Sequence, residues 1–174
     1  MYGLMVNLPT KILLGFFCLG TLGIAQHQNG TASADDLGKQ VLTALAAKDL
    51  KSLDSLTITE AEFKKYVWPA MATNVTDTKM TADKFYGIYT QSSQLGKTSA
   101  IESLGGKSLQ LIKFVPGRAT RQGKDYKLYL SPEMTVRDES GQEKTIRPVG
   151  GILEQGGAYK VTTYYVRPNS SGSK

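Results

Sequence analysis

The apolar positions of this chain follow two regimes, helical spacing first and strand-like alternation afterwards. Ser33 caps a first helix whose apolar stripe is Leu37, Val41, Leu42 and Leu45, close to a 3.6-residue period. Lys48-Asp49 ends it, and Leu50, Leu53 and Leu56 mark a short second helical turn. Thr59 and Glu62 form a capping box. The helix it opens carries Phe63, Tyr66 and Val67 on one side, and Pro69 limits its run because Trp68 before it is pushed away from helical angles. Thr81 caps a third helix through Phe85, Ile88, Tyr89, Ser92 and Leu95, continuing to Leu104 and the stop at Gly105-Gly106. Gly87 and Gly96 weaken that pattern, and a break is expected near Gly96.

The second half reads as strands. Leu109 to Val115 is an apolar run ended by Pro116-Gly117. Over 126–136 the alternation is clear: Tyr126, Leu128, Leu130, Met134 and Val136 share one face, and Lys127, Tyr129, Ser131, Glu133 and Thr135 the other. Asp138 to Gly141 turns the chain, Lys144 to Leu153 returns, Gln155-Gly156-Gly157 turns again, and Tyr159 to Val166 closes. Helices followed by such a meander predict an α+β fold, with N-terminal helices packed on a curved antiparallel sheet of about four strands.

Residues 12–25 stand apart. They form an apolar run after Lys11, ending in Gly23-Ile24-Ala25 before polar Gln26. Its 14 residues rise about 21 Å as a helix, short of the roughly 30 Å hydrocarbon core. The run reads as a secretory signal peptide over 1–25, cut before Gln26, with an uncleaved anchor as the alternative. The body is thus expected outside the cytoplasm, secreted or periplasmic. Phe17 precedes Cys18 where a lipoprotein signal needs a small residue, so Cys18 does not read as a lipid anchor. Residues 26–33 are then a flexible leader, 34–166 a single domain, and 167–174 a tail of disordered composition.

Composition narrows the chemistry. The only Cys, Cys18, and the only His, His27, both precede the expected domain. That domain has no Ser-His-Asp triad, Cys nucleophile or imidazole base, and no nitrogen and sulfur ligands for zinc. No cofactor, metal or catalytic residue is expected on these grounds; any reaction falls to carboxylates, Lys, Tyr or hydroxyls.

The element order resembles the nuclear-transport-factor-2-like superfamily, a cone of bent sheet wrapped on helices. The resemblance rests on Val41 to Asp49 in the first helix and on the closing hairpin Gly151 to Val161. It is one of architecture across about 34–166. It implies a pocket between sheet and helices, in a superfamily that includes isomerases, dehydratases, hydrolases and many binding modules. Without His, only a Tyr-plus-carboxylate arrangement stays open for an enzyme. Members often pair through the sheet, so a homodimer is among the expected states.

Tyr66, Trp68, Met71, Tyr86 and Tyr89, with Phe85, are the ligand-pocket candidates, although aromatics at helical spacing also read as core. Glu60, Glu62 and Asp83 sit in helix first turns, and Asp138 and Glu139 in a turn, so capping and turn geometry account for them. Gln91 to Thr98 ends like a phosphate-binding loop, but Gln91 replaces its first Gly and the stretch follows a helical pattern. Charge is uneven: residues 26–112 balance nine acids against nine bases, while 113–174 carry eleven bases and six acids. Lys113, Arg118, Arg121, Lys124 and Lys127 cluster around one loop as anion-contact candidates, or simply as a solvated hairpin. Nucleic acid is not an expected partner, since no binding motif is visible. The reading that results is a non-catalytic module for a small apolar or amphipathic ligand or a protein partner. The alternatives are an enzyme moving protons with Tyr and a carboxylate, and an adaptor for anionic surfaces.

Overall fold

A computed structural model describes residues 30–165. The expected signal segment and the 167–174 tail lie outside the described residues, as do Cys18 and His27. No described helix is long and apolar enough to cross a membrane.

The fold is α+β. Helix α1 (Ala34–Ala46) starts where the Ser33 hydroxyl accepts the Asp36 N–H, and buries Leu37, Val41, Leu42 and Leu45. Asp49 caps α2 (Leu50–Ser55) by accepting the N–H groups of Lys51 and Ser52. The capping box forms at Thr59 and Glu62, opening α3 (Glu60–Glu62). From there the chain departs from expectation at Pro69. A π-turn over Phe63–Val67 leads directly into α4 (Trp68–Met71), so the helical path runs through the proline. Pro69 has no N–H to donate, and the wider turn places the Trp68 N–H on the Phe63 carbonyl instead. A single 3-10 turn, Ala72–Asn74, follows. Helix α5 (Ala82–Leu104) is capped by Thr81 and runs unbroken past Gly96, where a break was expected.

Seven strands follow: β1 (Gln110–Val115), β2 (Arg118–Gln122), β3 (Tyr126–Leu130), β4 (Glu133–Arg137), β5 (Glu143–Ile146), β6 (Val149–Gln155) and β7 (Ala158–Tyr164). They form two antiparallel sheets, β1-β4-β5 and β2-β3-β6-β7. The difference from four strands has two sources. Two of the expected runs break where a proline withdraws a ladder donor, Pro132 between β3 and β4 and Pro148 between β5 and β6, and the stretch after Pro116, expected as a basic loop, forms β2 beyond a matching crease. Register lines these creases up, since Val115 faces Glu133, Arg118 faces Leu130 and Met134 faces Ile146. Gly117, at φ 92°, supplies the tightest bend; a Cβ there would lie 2.2 Å from the Leu130 carbonyl oxygen. The result is one antiparallel meander folded along a proline line.

Adjacent residues Ile152 and Leu153 of β6 enter different core clusters, so the four-stranded sheet is covered on both faces. Ile152 joins Leu37, Val41, Leu45, Met134 and Val136. Leu153 joins Phe63, Tyr66, Val67 and Leu128 under the aromatic layer. Thr31, within the stretch expected as leader, exchanges two backbone hydrogen bonds with Tyr159, at 3.1 and 2.8 Å.

Candidate ligand cavity

The capping box fixes where the 60–74 segment leaves the sheet, and Glu62 anchors it twice. Its carboxylate accepts from the Thr59 N–H at 2.7 Å and from Lys160 Nζ on β7 at 2.6 Å. Burial disfavours the Glu62 charge, but the hydrogen bonds from Lys160 and Thr59 outweigh it and hold the carboxyl below its ordinary value of 4.5.

The π-turn then points Phe63 at α5. Its ring centroid lies 4.7 Å from that of Tyr89, 5.2 Å from Tyr86 and 6.3 Å from Phe85. Trp68 packs on Phe85 at 5.4 Å, and Tyr66 on Tyr126 at 4.8 Å. Each contact is within the range of favourable aromatic pairs.

Between this segment, the N-terminal half of α5 and the four-stranded sheet is a cavity of about 540 Å³. Its walls are Val67, Ala70, Met71 and Val75 on the first side, Phe85 and Tyr89 on α5, and residues of β2, β3 and β7 opposite, Leu128 and Thr162 among them. Among the described residues, no carboxylate, Lys or Arg lines it. Of the pocket candidates, Met71 and Tyr89 line this cavity. Tyr86 and Tyr89 line a smaller one beside it. Trp68 stands behind the wall, against Phe85. Tyr66 is buried in the core, its hydroxyl taking a hydrogen bond from Gln155 Nε2 at 2.6 Å. The sheet side, with Thr120, Leu128 and Thr162, was missed from the sequence. Its only signal is alternation, which marks a buried face without saying that it faces a void.

Burial pushes the Tyr89 phenol up to about 12, with the Thr162 hydroxyl beside it opposing the shift. A Tyr-carboxylate pair includes Tyr129, itself one of the residues lining the larger cavity. Tyr129 donates its hydroxyl to Glu154 Oε2 at 2.6 Å, and burial followed by that carboxylate pushes its phenol up to about 12. Glu154 also sits 3.6 Å from Lys127 Nζ and lines neither of these cavities.

The anion candidates divide. Arg121 donates to the Pro69 carbonyl at 2.6 Å, tying β2 to the cavity wall, and Lys127 pairs with Glu154. Lys113 on β1, Arg118 at the start of β2 and Lys124 in the β2–β3 turn are exposed. Asp83 pairs with Lys64, and Asp138 accepts the N–H groups of Ser140 and Gln142 as a turn residue. Gly96-Lys97-Thr98 is helical, without the strand-to-helix loop a phosphate cradle needs.

Comparisons with family models, with curated proteins and with solved structures give no match for this chain. The site is therefore read from its own geometry.

Proposed function

We propose that this chain is a non-catalytic module that binds a small apolar or amphipathic molecule between its aromatic helical layer and its four-stranded sheet. The observation that carries this reading is the 540 Å³ cavity, walled mainly by apolar side chains and free of carboxylates among its lining residues. That volume falls within the roughly 300–1,000 Å³ of small-molecule sites. The reading includes a nuclear-transport-factor-2-like architecture, to which the helices followed by a creased antiparallel meander correspond. It also includes an extracytoplasmic location, supported by the 12–25 apolar run and its small-residue ending.

Trp68 is the only Trp in the chain and lies against the cavity-wall residue Phe85. Titration with decanol, followed by Trp68 emission, is expected to saturate at one molecule per chain. A linear, unsaturable response would overturn the proposal.

The second reading, proton-transfer catalysis, is favoured by one observation, the Tyr129–Glu154 hydrogen bond. It requires substrate access to that pair. An isomerase assay in which Y129F and the unmodified protein behave alike removes it.

A further inference from the structure

Beside the apolar cavity is a second pocket of about 150 Å³ with a different chemistry. The two share Tyr89 and Thr162 as a common wall. The smaller pocket is lined by hydroxyls, those of Thr57, Tyr86, Thr90 and Ser93 among them, and by one buried ammonium.

That ammonium belongs to Lys97, whose side chain is 4% exposed. Its Nζ lies 2.5 Å from Asp54 Oδ1 and 5.4 Å from the centre of the Tyr164 ring. An ammonium has three N–H donors, and Asp54 is its one hydrogen-bond acceptor among the described residues. Asp54 and the Tyr164 ring face at most two of these N–H groups, which leaves Lys97 able to donate to one further acceptor in the pocket. Asp54 is half exposed and also accepts from Gln94 Nε2 at 3.2 Å.

Charge selects the occupant. Asp54 and Lys97 are the only charged residues in the lining among the described residues, and their formal charges cancel. An anionic head drawn to Lys97 would meet the Asp54 carboxylate, and a cationic head would meet Lys97. A neutral group rich in hydroxyl and carbonyl oxygens satisfies the donors without either repulsion. The volume equals that of about five water molecules, enough for a glycerol-sized head.

We infer that the two cavities form one bipartite site for a neutral amphiphile. Its hydroxylated head sits against Lys97, Ser93 and Thr90, and its alkyl tail passes Tyr89 into the apolar cavity. This rests on the ligand-binding reading above and adds the ligand class to it.

The test compares two probes of equal tail length, 1-decanoylglycerol and decanoate, each below its aggregation concentration. Binding to the full chain is followed by Trp68 emission. The glyceride is expected to bind at least tenfold more tightly than the carboxylate. In D54N, which leaves Lys97 as an uncompensated cation, decanoate is expected to gain about tenfold. In K97M the glyceride is expected to lose about tenfold. D54N, at a half-exposed position, keeps the test decisive if K97M does not fold. Equal binding of both probes, unchanged in D54N, overturns the head-group assignment and leaves the apolar cavity standing. Binding of neither probe overturns both.

Discussion

Gly96 of α5 lies so close to Tyr164 of β7 that a Cβ at position 96 would fall 2.2 Å from the Tyr164 carbonyl oxygen. The glycine that reads as a helix breaker is the point where the helix touches the sheet. Gly87, in the same helix, has nothing within 4 Å of such a Cβ. The two glycines therefore predict opposite outcomes. G96A is expected to destabilise the protein by about 2–3 kcal/mol, because backbone must move. G87A is expected to stabilise it by about 0.5–1 kcal/mol through helix propensity alone. Urea unfolding of both variants checks this, and equal effects would show that α5 does not press on β7 at Gly96.

Glu62 carries an acid-side prediction. Its carboxyl is held below its ordinary value by Lys160 and Thr59 against the cost of burial. A depressed carboxylate contributes stability that is present above the unfolded-state value of about 4.5 and lost as pH falls through the folded value. The urea midpoint is thus expected to fall on acidification below about pH 4.5. E62Q, which keeps an acceptor for the Thr59 N–H but loses the Lys160 charge pair, is expected to flatten that slope. Parallel pH profiles for the two proteins would contradict the assignment.

The tyrosines carry the alkaline counterpart. Burial raises Tyr89 to about 12, and burial with the Glu154 carboxylate raises Tyr129 to about 12, from an ordinary 10.0. The folded state holds these phenolic protons more tightly than the unfolded chain. Their contribution is complete below pH 10 and drains as pH rises towards 12. Melting temperature is expected to drop across that window, and Y129F to drop less steeply. A flat profile to pH 12 would refute the shifts.

Much of the fold was legible because its signals are local. The Ser33, Thr59 and Thr81 caps are short-range hydrogen bonds between a hydroxyl and an N–H three residues on, and all three form. The stripe of α1 is buried as its spacing requires. What the sequence hid was set by one distant contact and one uncommon local turn. Gly96 gains its meaning from Tyr164, and Pro69 is tolerated because a π-turn shifts the donor pattern around it. The crease line through Pro116, Pro132 and Pro148 becomes visible only once the strands are in register.

The candidate site was legible on one side. Met71, Tyr86 and Tyr89 are where helical spacing puts them, on the layer facing the sheet. Lys97 and Asp54 are 43 residues apart in sequence, and nothing local announces their pairing. Arg121 read as a surface cation, yet it serves the wall of the cavity by donating to the Pro69 carbonyl.

Calorimetry of the unmodified chain against A70F decides whether the 540 Å³ cavity takes an apolar moiety. Ala70 lines that cavity, and a phenyl ring there fills the volume without displacing existing core. One-to-one binding of 1-decanoylglycerol to the unmodified chain, with a negative heat-capacity change, is expected. In A70F binding is expected to weaken at least tenfold, with the melting temperature unchanged or raised. Equal binding by a folded A70F, or no saturable heat from the unmodified chain, would contradict that role of the cavity.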